Sequence, residues 1–86
     1  MVKLRKMGKS LNTKESEKLA ALLRSVRSKA GLTQAEVAER VGLPQSFVSK
    51  YESGERRLDL IELKQVCKAL GIALAEFVRR FEKEIP

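Results

Sequence analysis

Four side chains near the middle of this 86-residue sequence form a group by type: Gln45, Ser46, Ser49 and Lys50. Set out at about 100° per residue, as on an α-helix, they share one side, while Val48 and Tyr51 fall on the other. None of the four is acidic, and each is short or flexible and carries hydrogen-bonding groups. A glutamine amide can donate to N7 and accept from N6 of adenine at once, a lysine ammonium can donate to guanine O6 and N7, and a serine hydroxyl can do either. The chemistry on offer is hydrogen bonding to base edges, with no carboxylate to repel phosphates. Phe47 lies at the border of the two sides, where it can meet a thymine methyl or extend the core, and the sequence leaves both open. A polar outer face alone is also what most surface helices carry, so the elements around these residues must decide.

Charge points the same way. The chain has 18 lysines and arginines against 11 acids, a formal net charge of +7, which draws polyanions toward its surface. Five of the basic residues, Lys3, Arg5, Lys6, Lys9 and Lys14, fall within the first 14 positions, where there is no acid. Residues 1–13 therefore read as a basic arm, either a solubilising tail or a segment that follows phosphates or enters a minor groove. Residues 14–84 read as one folded domain, because a chain of this length buries one core and no more.

Composition excludes several classes. With no histidine and a single cysteine, Cys67, there is neither a zinc set nor an internal disulfide. No nucleophile sits beside a base, no glycine-rich phosphate cradle is present, and no carboxylates cluster at metal-ligand spacing, so the protein is read as a non-enzyme needing no cofactor. Cys67 falls in phase with Leu60, Leu63 and Leu70 and reads as a small core residue. No apolar run approaches the roughly 18 residues of a spanning helix, and the amino end lacks a secretory pattern, so a soluble cytoplasmic protein is expected.

The positioning elements are all helices, because apolar residues recur at three- and four-residue intervals in every segment and strand-like alternation is not sustained. Leu19, Leu22, Leu23, Val26 and Ala30 form the stripe of a first helix from Thr13 or Lys14 to Lys29, ended by Gly31. Thr33-Gln34-Ala35-Glu36 is a capping box, and it opens a second helix with Ala35, Val37, Ala38 and Val41 on its apolar face. Gly42 stops that helix. Only Gly42-Leu43-Pro44 separates it from the third, Gln45 to Glu52, with proline suited to a helix start. Two short helices joined so tightly must cross steeply, which makes a helix-turn-helix unit. Ser53-Gly54 closes the third helix, and a charged loop, Glu55-Arg56-Arg57-Leu58, follows. Asp59-Leu60-Ile61-Glu62 is a second capping box, starting a fourth helix that sends Leu60, Leu63, Val66, Cys67 and Leu70 inward until Gly71. A fifth helix, Leu74 to Lys83, carries Leu74, Phe77, Val78 and Phe81 and begins without a good capping residue.

The run Gly31-Leu32-Thr33-Gln34-Ala35-Glu36-Val37-Ala38, followed by Val41-Gly42-Leu43-Pro44-Gln45-Ser46-Phe47-Val48-Ser49-Lys50-Tyr51-Glu52-Ser53-Gly54, closely resembles the Cro and phage-repressor family, also called Xre-type. The likeness extends over about Leu19 to Phe77. It implies an all-α, compact five-helix, lambda-repressor-like DNA-binding domain that acts as a homodimer on double-stranded DNA with a palindromic operator. On that pattern Gln45, Ser46, Ser49 and Lys50 are base or near-base contacts, and Phe47 joins them as a candidate base contact only by its place at the border of the helix. Thr33 and Gln34 at the amino end of helix two, with Arg56 and Arg57 from the loop, contact phosphates. Arg27 and Glu52 form an internal ion pair tying helix one to the end of helix three. Helix five, with Phe77, Val78, Phe81 and Ile85, either packs within the monomer or offers its apolar edge to a twin chain. The same fold serves stand-alone repressors, antitoxins that hold a toxin partner and autoregulate their operon, and protein-interaction modules. The first is the expected role here.

Overall fold

Capping sets where the helices begin. A computed structural model describes residues 13–84, and over that span the order is α1 (Lys14–Lys29), α2 (Gln34–Val41), α3 (Gln45–Ser53), α4 (Leu60–Leu70) and α5 (Leu74–Glu84). Three helices open on a reciprocal cap. Thr33 Oγ1 accepts from the Glu36 amide at 3.1 Å while Glu36 Oε1 accepts from the Thr33 amide at 2.8 Å. Asp59 and Glu62 repeat the exchange at 2.7 and 2.9 Å. At α1 the same device is built from Thr13 and Ser16, at 3.0 and 2.8 Å. The sequence did not announce this third box, because serine at the third helical position is a shorter acceptor than the usual Glu or Gln.

The turn between α2 and α3 depends on Gly42, whose φ of 74° is left-handed. A Cβ there would meet nothing within 4 Å, so the cost of any other residue is conformational rather than steric, about 1 kcal/mol. Pro44 then stands at the N-cap of α3, with φ −62° and extended ψ, one position earlier than a first-turn proline.

The core is assembled from all five helices around Leu23, Val26, Val37, Val48, Val66 and Phe77. α2 packs on α3 and α4, α1 on α3 and α5, and α4 on α5. Arg40 adds a polar tie between layers, donating through Nη1 to the Ala69 carbonyl at 2.8 Å near the end of α4, where carbonyls lack helical partners. Cys67 is buried in the core, and burial pushes its thiol pKa up to about 11, so it is protonated and inert at neutral pH.

Several residues expected inward stand outside. Leu60 is 67% exposed, because it lies in the first turn of α4 at the edge of the stripe made by Leu63, Val66, Cys67 and Leu70. Ala35 is exposed for a similar reason: at helical spacing it sits about 120° from Val41 and about 160° from Val37, the fully buried residue of α2, and only Ala38 is nearer. Ala30 and Val78 are exposed as well, and of the apolar residues on α5 only Phe77 is buried, with Leu74 and Phe81 half-buried. Ile85 and most of the basic arm lie outside the described residues. Among those that are described, no helix is long and apolar enough to cross a membrane.

Candidate nucleic-acid interface

α3 is held from below by three buried residues, Val48, Tyr51 and Glu52, spaced so that they share one side of the helix. Gln45, Ser46, Ser49 and Lys50 are all exposed, so among the described residues the opposite flank is uncovered by the other helices. That flank carries two hydroxyls, one amide and one ammonium and no acid, the set that base edges and phosphates can accept.

Glu52 is a carboxylate buried beneath the reading helix, its side chain 1% exposed. Arg27 of α1 donates to it twice, Nε to Oε2 at 2.6 Å and Nη2 to Oε1 at 2.9 Å, and spends Nη1 on the Leu32 carbonyl at 2.9 Å. Gln34 of α2 gives a third donor, Nε2 to Oε1 at 2.9 Å. One carboxylate thus joins α1, α2 and α3. A forked pair fixes angle as well as distance, so the tilt of α3 is set from inside. The bonds to Glu52 raise the Arg27 pKa further, although burial opposes the rise. Tyr51 is buried next to this pair, and burial raises its pKa, keeping the phenol neutral.

The residues expected at phosphates are placed differently from one another. Thr33 is exposed at the amino end of α2 with its hydroxyl and amide both engaged in the capping box. Gln34 is half-buried, with its NH2 group on Glu52 and its carbonyl accepting from Gln45 Nε2 at 3.4 Å. Gln34 therefore bridges the internal ion pair to the outer flank. Arg57 is exposed on the loop after α3. Arg56 is turned back on the protein: Nη1 and Nη2 donate to the two oxygens of Glu62 at 3.1 and 2.7 Å, and Nη1 also donates to the Arg57 carbonyl at 2.9 Å. Its guanidinium carbon lies over Phe47, 4.9 Å from the ring centroid. Phe47 is half-buried and meets Tyr51 edge to face, with centroids 5.4 Å apart and planes at 82°.

Two participants were not visible in the sequence. Glu62 was read only as a cap, yet its carboxylate also holds Arg56, and that bond with the Asp59 amide holds its pKa down to about 2. Arg24 stands one turn before Arg27 on α1, with Nε 3.9 Å from Glu52 Oε1 and its side chain 63% exposed. The three-residue spacing from Arg27 was the available signal for it.

Known proteins place this arrangement. A family model described as helix-turn-helix matches residues 23–77, more than half of the chain. Control protein C.MunI from Mycoplasma sp is 33% identical over 58 residues, covering 67% of this chain and 78% of that protein. An XRE-family like protein from Pseudomonas syringae pv. tomato str. DC3000 superposes with a TM-score of 0.77 at 44% identity, covering 84% of this chain and 88% of that one. The restriction-modification controller protein C.Esp1396I, solved as a tetramer in complex with its natural 35 base-pair operator, superposes with a TM-score of 0.80 over 86% of this chain and 97% of its own; at 24% identity that is a likeness of fold. On the family match and the 44% identical neighbour, the chain belongs to the Xre/Cro-type helix-turn-helix family of DNA-binding transcriptional regulators.

Proposed function

We propose that this protein is a small repressor that binds a palindromic operator as a homodimer and reads base edges in the major groove with α3. The observation that carries the reading is the exposed, acid-free flank of Gln45, Ser46, Ser49 and Lys50 on a helix locked from behind by Arg27 and Glu52. Gln45 and Lys50 supply the most discriminating contacts, to adenine and guanine respectively. The Gln34 amide keeps one N–H beyond its bond to Glu52, and this is the donor for a phosphate at the amino end of α2, where the helix dipole also favours an anion. Arg57 reaches the backbone from the loop.

The relatives support a regulatory role: C.MunI is a control protein, and C.Esp1396I has been captured as an oligomer on operator DNA. Leu60 and Ile61 on α4, 67% and 71% exposed, and Val78 on α5, 38% exposed, are apolar surface that a twin chain would cover. Two-fold symmetry then places half-sites about 34 Å apart, one turn of B-DNA.

Selection of bound sequences from a random DNA pool, followed by titration of the selected site against salt, tests this. A palindromic site whose affinity falls by orders of magnitude between roughly 50 and 200 mM salt is expected. Little salt dependence together with no selected sequence would instead favour a protein-interaction role for the same fold.

A further inference from the structure

We propose that Arg56 and Glu62 are positioning residues for base readout, holding the Phe47 ring as a fixed apolar ledge beside the reading flank of α3, set to meet the 5-methyl group of a thymine. This rests on the operator-binding role proposed above and names a further specificity element within it. Phe47 follows Ser46 and precedes Lys50 by one helical turn, so its half-exposed edge adjoins the residues that face the groove. The ring is gripped from two directions, by the edge-to-face contact with Tyr51 at 5.4 Å and by the Arg56 guanidinium at 4.9 Å. A ring fixed before binding loses little freedom on meeting a methyl group, so the contact is not offset by an ordering cost.

Arg56 is built for that grip. An arginine seeking a phosphate presents its fork outward, whereas this fork closes on the two oxygens of Glu62 at 3.1 and 2.7 Å. Glu62 is itself pinned, because Oε1 also accepts the Asp59 amide at 2.9 Å as part of the cap of α4. The order of constraint therefore runs from the α4 cap to Glu62, to Arg56, to Phe47, and the start of α4 sets a side chain on α3 that it does not touch through any polar bond.

The test uses the full chain and the operator selected from the random pool, with each thymine replaced singly by uracil, which removes only the methyl. The unaltered protein is expected to lose roughly fourfold in affinity at one thymine of each half-site, the effect of leaving one methyl unburied. Arg56→Lys keeps the charge but cannot make the forked bond, and Glu62→Gln keeps an acceptor for the Asp59 amide but weakens the clamp. Both should shrink the uracil penalty toward none while the slope of log affinity against log salt stays unchanged. Thermal melting of each preparation shows that the variants are folded, and the two reach the same ring from different residues.

Two results would overturn the inference: no uracil effect at any thymine, or a penalty that persists unchanged in both variants. A third would do so as well, namely Arg56→Lys behaving as the unaltered protein while Arg56→Ala lowers the salt slope by about one, because that is the behaviour of a phosphate ligand. Failure of the unaltered chain to select any sequence would overturn the operator-binding role, and this inference with it.

Discussion

Two arginine–glutamate forks brace α3, and they differ in depth. Arg27–Glu52 lies beneath the helix, its side chains 15% and 1% exposed, while Arg56–Glu62 stands at the rim, at 40% and 28%. Both are bidentate, so geometry does not separate them; solvent does. Inside, a group that loses its partner is left as a poorly solvated charge, which a neutral donor such as Gln34 offsets only in part. At the rim, water and salt compete with the pair at all times, and such pairs add little to folding. The deep fork therefore belongs to the stability of the domain, and the shallow fork to the placement of what it touches.

The largest effect is expected at the deep fork. Glu52→Gln leaves the Arg27 guanidinium partly buried without its counter-charge and should lower stability by about 3 kcal/mol, the scale for breaking a buried pair. Thermal melting of a domain this size should fall by more than 10 °C, on a scale of roughly 4–8 °C per kcal/mol. DNA affinity should drop with it, since the tilt of α3 is released. Unchanged melting would mean that Arg27–Glu52 does not brace the helix.

A smaller loss is expected when both partners become apolar. Arg27→Met with Glu52→Leu removes the isolated charge as well as the attraction, and should recover part of the stability lost in Glu52→Gln. A double variant less stable than either single change would show that the ties to Leu32 and Gln34, rather than the charges, carry the site.

The smallest effect is expected at the rim. Arg56, with the Asp59 amide, lowers the Glu62 carboxyl to about 2, so the folded state favours the ionised form. That contribution is present above the ordinary carboxylate pKa near 4.5 and is lost as pH falls from there toward about 2. Glu62→Gln should lower melting at neutral pH slightly, by far less than Glu52→Gln, and its difference from the unaltered protein should vanish as pH falls through that window. A melting loss at neutral pH comparable with that of Glu52→Gln would erase the distinction between the two forks.

The difference in depth also explains what the sequence made legible. Helix starts were readable where the box used Thr-x-x-Glu or Asp-x-x-Glu, because the signal is local and strong, and Gly42 marked the turn because only a left-handed residue fits it. The Arg27–Glu52 pair came from resemblance to a family and not from spacing, since its partners are 25 residues apart. Nothing local links Glu62 to Arg56 and Phe47, because that contact is made only when the loop after α3 folds back on the start of α4. Leu60 failed as a core residue for a related reason: periodicity gives the direction of a side chain but not how far the neighbouring elements extend.

The claim on which the rest depends is that the flank of α3 opposite Val48 and Tyr51 reads bases. Titrating Gln45→Ala and Lys50→Ala against operators carrying every single base-pair change measures it most directly. Each variant should lose preference at its own base pair, by about 1–3 kcal/mol, and keep preference elsewhere. If both variants retain every preference of the unaltered protein, the flank does not face the groove.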